Sequence, residues 1–586
     1  MHTSIRTLVL LLNPVLLLAQ TNILAAPDIE PFSYLGPASS RLEIVPVQGQ
    51  EFTRAMRLRT PDGLPNTVAR EYSIRVRAIV PLALERNDWV LASFYVRAIE
   101  RSGEVAQVKL NFERGAPPYT KSLSAGLQVP DSWKRYQIPF QIAESYNPRE
   151  AYFDFWIGYD PQVIEIGGVK IEKQLPGFNP QGIDTGYTYQ GREADAPWRK
   201  AAAERIEEIR KAELSVTVVD TEGQPIPNTA VEVRMKRHEF GFGTAVVAQA
   251  LLSNAPDDLK YKEWYFQLFN QAVFENDFKW PQFESNRARS VQGLDWLRQQ
   301  GITNIRGHNL VWPGLQYLPN DVRSLIANPA ALRQRIQTHI TDVMRATQGK
   351  FRDWDVINEP IPNTDLQKAL GDEAMVDWFK QAREADPSAR LFINEFNIIP
   401  NEAGNRVKQD EYFRLIQWLK EKGAPVDGLG EQGHFGQSLT GIDRAKQILD
   451  RFASLGLVIQ VTEFDIDIVD EKLQADYTRD YLTLCFSHPS IDSFLMWGFW
   501  EGRHWKPRAA ILRRDWTLKP NGEVWRDLTT KEWWTNVDLK SGQSGEAFTR
   551  GFLGEYEVKV IAEDGRTKTL NAVLSKAGLK LTVMLD

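Results

Sequence analysis

The middle of this chain alternates, eight times over, a short apolar run with an amphipathic stretch. The apolar runs start near Gly241, Ala272, Asn304, Asp353, Arg390, Gly428, Leu457 and Ser493. Few folds accept that rhythm. A strand that is followed each time by a helix pairs in parallel, and the helices serve as the crossovers. Eight such units over residues 241–529 fit a (β/α)8 barrel, an α/β TIM-barrel fold. Chemistry in that architecture sits at the carboxyl ends of the strands. The residues at those ends are therefore the ones to read.

Two ends carry a glutamate. Trp354-Asp355-Val356-Ile357-Asn358-Glu359 and Val458-Ile459-Gln460-Val461-Thr462-Glu463-Phe464-Asp465 are hydrophobic strands that run up to a carboxylate. An unpaired carboxylate in apolar surroundings costs desolvation energy, so packing alone does not put one there. Two of them on one barrel rim suggest a paired acid and nucleophile, the equipment for cleaving a glycosidic bond.

A chain of 586 residues is too long for a single core, so several domains are expected. Residues 27–175 read as a β-sandwich, with alternating runs at Tyr72–Val80, Trp89–Ile99, Val105–Phe112, Trp133–Ile142 and Tyr152–Tyr159. Residues 176–212 read as a linker, rich in Gly and Pro up to 195, then a helix from Pro197 to Ala212. Residues 213–240 look like a hairpin of Leu214–Val219 and Ala230–Met235 around the turn Glu222-Gly223-Gln224-Pro225. Residues 530–586 are β again and are expected to complete a small accessory β domain with 213–240.

Residues 1–26 have the layout of a signal peptide, with His2 and Arg6 before the apolar run Leu8–Leu18 and Ala19 or Ala25 as the cleavage position. A secreted or periplasmic protein follows, with no membrane attachment after cleavage. The lone Cys485 lies among apolar neighbours and reads as a buried structural thiol. A net charge of −6 without a long basic run argues against nucleic acid as a partner. No phosphate loop, dinucleotide fingerprint or catalytic zinc spacing occurs, so no cofactor and no metal are expected.

The strand ends together resemble glycoside hydrolase family ten, chiefly retaining endo-β-1,4-xylanases. The resemblance rests on Phe274–Trp280, Arg306-Gly307-His308-Asn309-Leu310-Val311-Trp312, Trp354–Glu359, Gly428-Leu429-Gly430-Glu431-Gln432-Gly433-His434 and Thr462–Asp465, in the family's order. It implies Glu359 as the acid/base and Glu463 as the nucleophile. It implies Glu275, Asn276, Lys279, His308, Trp312, Asn358, Gln432, His434, Trp497 and Trp505 as substrate-binding residues. Asn358 would meet the 2-hydroxyl at the cleavage point, and Trp312, Trp497 and Trp505 would be ring platforms. Asn394 and Asp465 would support the site.

Two features depart from the pattern. The family commonly has histidine directly after the strand-three tryptophan, where this chain has Pro313. The region Trp497–Trp505 looks like the family's plant-type branch. The N-terminal sandwich resembles carbohydrate-binding modules of families four, nine and twenty-two, through Asn87-Asp88-Trp89, Ser93–Arg97, Trp133–Tyr136 and Ile164–Val169. On Tyr152–Ile157, one face carries Tyr152 and Trp156 and the other Phe153 and Phe155, and one of the two must be core. The expected function is a monomeric endo-β-1,4-xylanase that acts on a polysaccharide by double displacement. The alternatives are a retaining hydrolase of another β-glycan and an inactive glycan-binding protein.

Overall fold

Each apolar run of the middle segment forms a strand in the computed structural model. The strands are β1 (Gly241–Val246), β2 (Gln271–Phe274), β3 (Ile305–Gly307), β4 (Asp353–Asn358), β5 (Arg390–Glu395), β6 (Gly428–Glu431), β7 (Val458–Ile466) and β8 (Ile491–Met496). All pair in parallel in chain order, and β1 pairs with β8 to close an eight-stranded barrel. The structure describes residues 21–26, 28–64, 70–103, 106–400 and 406–586. These fall into two compact units, one ending at Tyr187 and the other beginning at Thr188.

The strands are covered outside by helices whose apolar residues recur every three to four positions. Helix Ile442–Ala453 buries Ile442, Ala445, Ile448, Leu449 and Phe452. Helix starts follow local chemistry. Proline opens Pro256–Leu268 and Pro329–Ala346, where no amide hydrogen is needed. Asp470 caps Glu471–Phe486 by accepting from the Leu473 amide at 2.9 Å.

The barrel interior holds a charged layer below the rim. Arg306 is fully buried and bonds Asp355 and Gln460. His308 Nδ1 donates to Asp355 at 2.9 Å and carries the network up toward the rim. Space there is tight. A Cβ on Gly430 would lie 2.2 Å from Asn394 Oδ1, so only glycine fits beside that side chain.

The segments flanking the barrel build a small sandwich. Lys211–Val219 pairs with Glu546–Phe552 and, in parallel, with Leu579–Met584. Ala230–His238 lies in the other sheet, between Asn536–Lys540 and Gly554–Ile561. The expected hairpin is thus corrected. Its two strands enter different sheets, because each is flanked on both edges by strands of the C-terminal segment. The preceding helix, Pro197–Ile209, stops short of Ala212, where Lys211 begins the first of these strands.

The first unit is an antiparallel sandwich. One sheet runs Leu42–Pro46, Arg54–Thr60, Gln162–Lys173, Trp89–Arg101, Lys134–Gln141, and the other Ser33–Leu35, Arg75–Ile79, Ala151–Trp156, Ala106–Arg114, Lys121–Val129. Phe153 and Phe155 are the core pair, packed with Phe32 and Phe94. Tyr152 and Trp156 lie on the opposite face, where Trp156 is buried against Tyr72 and bonds Asp154, and Arg77 covers Tyr152. The run expected as a strand from Tyr72 starts with a helical turn, Arg70–Ser73.

The expected linker is held by its own neighbours. Thr185 accepts from the Gln137 amide, and Phe178 packs on Trp89. Beyond the junction, Tyr189 donates to Asp480 at 2.6 Å and Arg192 pairs with Asp476 at 2.8 Å. Most of the expected leader lies outside the described residues. Its last part does not: Thr21–Asn22 pairs with Gln162–Lys173, and Ile23 is fully buried. A leader ending at residue 26 would remove that buried edge.

Candidate active site

Strands β4 and β7 bring Glu359 and Glu463 to the same rim, and the two are surrounded differently. Glu463, at the end half of β7, is nearly buried. Its Oε2 lies 3.1 Å from His434 Nε2, and its Oε1 accepts from Asn394 Nδ2 at 2.9 Å. His434 Nδ1 donates in turn to Asp465 at 2.9 Å. The short strand His434–Phe435 runs parallel to Asp465 and Ile466, which sets the ring between the two carboxylates. Burial alone would lower the His434 pKa, but Asp465 and Glu463 outweigh it and push it up to about 9. His434 is therefore an imidazolium at neutral pH. Burial works against ionising Glu463 too, but the His434 hydrogen bond, with His308 and Lys279, holds it below its ordinary value.

Glu359 follows β4 with φ at +52°, a left-handed backbone that a glutamate adopts at a cost. Its amide donates to Asn394 O at 2.8 Å, which fixes the turn. Its oxygens face neutral donors. Gln432 Nε2 donates to Oε1 at 2.9 Å, and Trp312 Nε1 to Oε2 at 3.1 Å. Burial, with the nearby charge of Glu463, raises its pKa against the pull of Gln432, Lys408 and His308. The Glu359 carboxyl is thus biased to keep its proton, and the Glu463 carboxyl to lose it.

Asn358 is buried, with its Oδ1 accepting from Asn394 at 2.9 Å. Its Nδ2 has no partner among the described residues, so a buried donor is available at the end of β4, directly before Glu359. Asn394 ties Asn358, Glu463 and Thr462 together. Lys279 bonds Asn276 Oδ1 at 2.8 Å and sits near the Trp312 and Trp497 rings, with Glu275 in the same charge cluster. Burial lowers the Lys279 pKa, while Glu463, Glu275 and Glu359 support its charge. His308 lies 4.0 Å from Glu463 and belongs to the charged layer beneath.

The three tryptophans differ. Trp505 is 52% exposed and anchored by its Nε1 to Asp465 at 2.8 Å, with Lys506 over its ring. Trp497 is 6% exposed and packs with Ala245, Val273 and Leu495, with Lys279 over its ring. Trp312 has one face covered by Tyr317, stacked at 3.5 Å and 11°. An open two-faced platform at Trp312 is not what the structure shows.

Several residues at the site carry no signal in the sequence reading. Asn363 bonds the Glu359 main chain and side chain. Lys408 pairs with the buried Glu395 at 2.8 Å and lies over the Phe396 ring. Lys506 stands 3.7 Å from Asp465. Tyr317 and Asn363 fall in the loops that follow the strand-end motifs, but no local pattern marks either.

A closed parallel barrel that presents an acid-biased and a base-biased glutamate at one rim, beside an exposed indole, defines the class of barrel enzymes that split glycosidic bonds. The family comparison agrees. Residues 232–523 match the model for glycosyl hydrolase family 10, and this barrel belongs to that family. Anti-sigma-I factor RsgI6 of Acetivibrio thermocellus is 37% identical over 371 residues, covering 62% of this chain and 46% of that protein. Endo-1,4-beta-xylanase 2 of Arabidopsis thaliana is 26% identical over 534 residues, covering 87% of this chain and 48% of that protein. The chain thus spans less than half the length of either relative. Native xylanase 10B from Thermotoga maritima superposes at a TM-score of 0.46 with 26% identity, over 50% of this chain and 96% of that one.

Proposed function

We propose that the chain is a retaining endo-β-1,4-xylanase. The observation that carries the reading is the opposed bias of the two carboxyls. In the first step Glu463 attacks the anomeric carbon, the bond to the leaving oxygen breaks, and Glu359 gives that oxygen its proton. In the second, Glu359 takes a proton from water, the water oxygen bonds the anomeric carbon, and the ester to Glu463 breaks. Asn358 Nδ2 is the donor for the 2-hydroxyl. Trp505 is the open stacking surface.

The substrate is xylan by likeness to relatives named as xylanases. The comparison of xylan, mixed-linkage glucan and cellulose tests it, with proton NMR of the first-formed anomer. Preferred hydrolysis of xylan with the β-anomer appearing first is expected. A preferred glucan would move the reading to another β-glycan. First-formed α-anomer would sink the retaining mechanism.

The same proposal includes an exported, monomeric protein whose first unit holds the barrel near polymer through effective concentration. What supports export is the leader-like composition of residues 1–26. A chain starting at Thr188 should keep its activity on soluble oligosaccharides and lose it on insoluble xylan. Parallel loss on both, with a lowered Tm, would make the sandwich a structural support only.

A further inference from the structure

Three neutral N–H donors reach the Glu359 carboxyl, from Gln432, Trp312 and Asn363. The first two come from strand-end motifs. Asn363 comes from the loop after β4, and its surroundings are built around it. Its Nδ2 donates to the Glu359 carbonyl at 3.1 Å and to Oε2 at 3.3 Å. Its Oδ1 accepts from Gln316 Nε2 at 3.0 Å. That second bond decides which way the amide faces: with the oxygen committed to Gln316, the nitrogen is turned to Glu359. The side chain is 7% exposed, so water does not compete freely for it.

Gly314 makes room for this arrangement. A Cβ there would lie 2.6 Å from Asn363 Oδ1 and 2.9 Å from Gln316 Nε2. The two loops are also clasped through the main chain, Leu366 N to Pro313 O at 3.2 Å and Leu315 N to Asp365 Oδ2 at 2.9 Å. Pro313, Gly314, Gln316 and Asn363 thus form one unit, at the very place where the chain departs from the family pattern.

We propose that Asn363, oriented by Gln316 across Gly314, is a positioning residue that favours the ionised form of Glu359 and so serves the second half of the reaction. This rests on Glu359 being the acid/base. In the first half burial and the Glu463 charge favour the protonated form of Glu359. Once Glu463 is esterified its charge is gone, and the N–H donors then favour the carboxylate that must accept a proton from water. The other titratable groups facing Glu359 are His308 just after β3, Lys279 after β2, Glu395 from β5 and Lys408 from helix Arg406–Glu421. None of these donates a hydrogen bond to Glu359 among the described residues, so the amide donors act on it most directly.

The test pairs two readouts on Asn363→Ala, Asn363→Asp and Gln316→Ala. One is the alkaline limb of kcat/KM on xylo-oligosaccharides. The other is the carboxyl-carbon NMR titration of Glu359, assigned against Glu359→Gln. Loss of one donor to a carboxylate should move both upward by about half to one pH unit in Asn363→Ala. Gln316→Ala should move them in the same direction by less, and Asn363→Asp by more, since it sets a second negative charge beside the first. On an aryl glycoside with a good leaving group, kcat should fall in Asn363→Ala while kcat/KM holds. An unmoved limb and titration, with activity falling only as Tm falls, would overturn the proposal and leave Asn363 a loop clamp. If the unaltered protein hydrolyses no β-glycan, the enzymatic reading fails, and the NMR titration still decides whether Asn363 acts on Glu359.

Discussion

The rim around Glu463 and the rim around Glu359 use the same side chain for opposite purposes. At Glu463 one partner is the Asn394 amide and the other is charged: an imidazolium held between two carboxylates, with Lys279 nearby. At Glu359 the hydrogen-bond partners are an indole, two carboxamides and no cation. Both glutamates are largely buried. Burial alone would keep both protonated, so the sign of the neighbours' charge decides which one ionises. A neutral donor fixes position with a mild electrostatic pull. A cation fixes position and charge state together. One rim thus gives two identical side chains opposite protonation biases.

The largest break in this comparison is Glu463→Ala. Without the nucleophile, hydrolysis should fall by about four orders of magnitude or more on every substrate. Added azide should not restore a product of retained configuration. Substantial residual turnover would remove Glu463 from its role.

Glu359→Ala should be milder and selective. Removing a general acid costs about 10²- to 10⁴-fold where the leaving group needs a proton. Aryl glycosides with good leaving groups should keep a fast first step, visible as a burst. A uniform loss across leaving groups would argue against proton transfer by Glu359.

His434→Gln sharpens the charged side. Glu463 has its pKa depressed, so activity is present above that value and is lost as pH falls through it. Without the imidazolium the depression shrinks, and the acid limb of the rate profile should move upward by about one to two pH units. The alkaline limb, set by Glu359, should stay nearly in place. Movement of both limbs together would mean the two corners are not separately tuned.

The smallest effect is expected at Pro313→His. A restored donor near the cleavage subsite is worth about 1 kcal/mol, or a few-fold in kcat/KM. It should favour short xylo-oligosaccharides over polymer. Equal effects on both would place the position outside the sugar's reach.

The barrel was legible because its signal repeats. Eight apolar runs gave strand positions within one or two residues of those observed, from Gly241 to the β8 start at Ile491. The strand-end glutamates were legible because a carboxylate closing an apolar run is physically unusual. The partners of the small sandwich were not. Lys211–Val219 looks like half of a hairpin until Leu579–Met584 is known to lie beside it, and no local pattern encodes a pairing at that distance. Asn363 was hidden for a related reason: an asparagine between Pro362 and Thr364 reads as loop chemistry, and its use depends on Gln316 from another loop. The stack of Tyr317 on Trp312 was missed since an aromatic pattern says nothing about which face stays open.

The pairing of Leu214 with Leu579 also sets an order of events during synthesis. The strand Lys211–Val219 leaves the ribosome before any barrel strand and finds its neighbours only after the last of them. Throughout that interval both of its edges are open to any extended segment nearby. The barrel must therefore mature inside an unfinished frame, and a ribosome that stops before residue 579 releases a chain with an adhesive strand exposed. Completion of the small sandwich thus waits on Leu579–Met584, a strand remote in sequence from the barrel's rim.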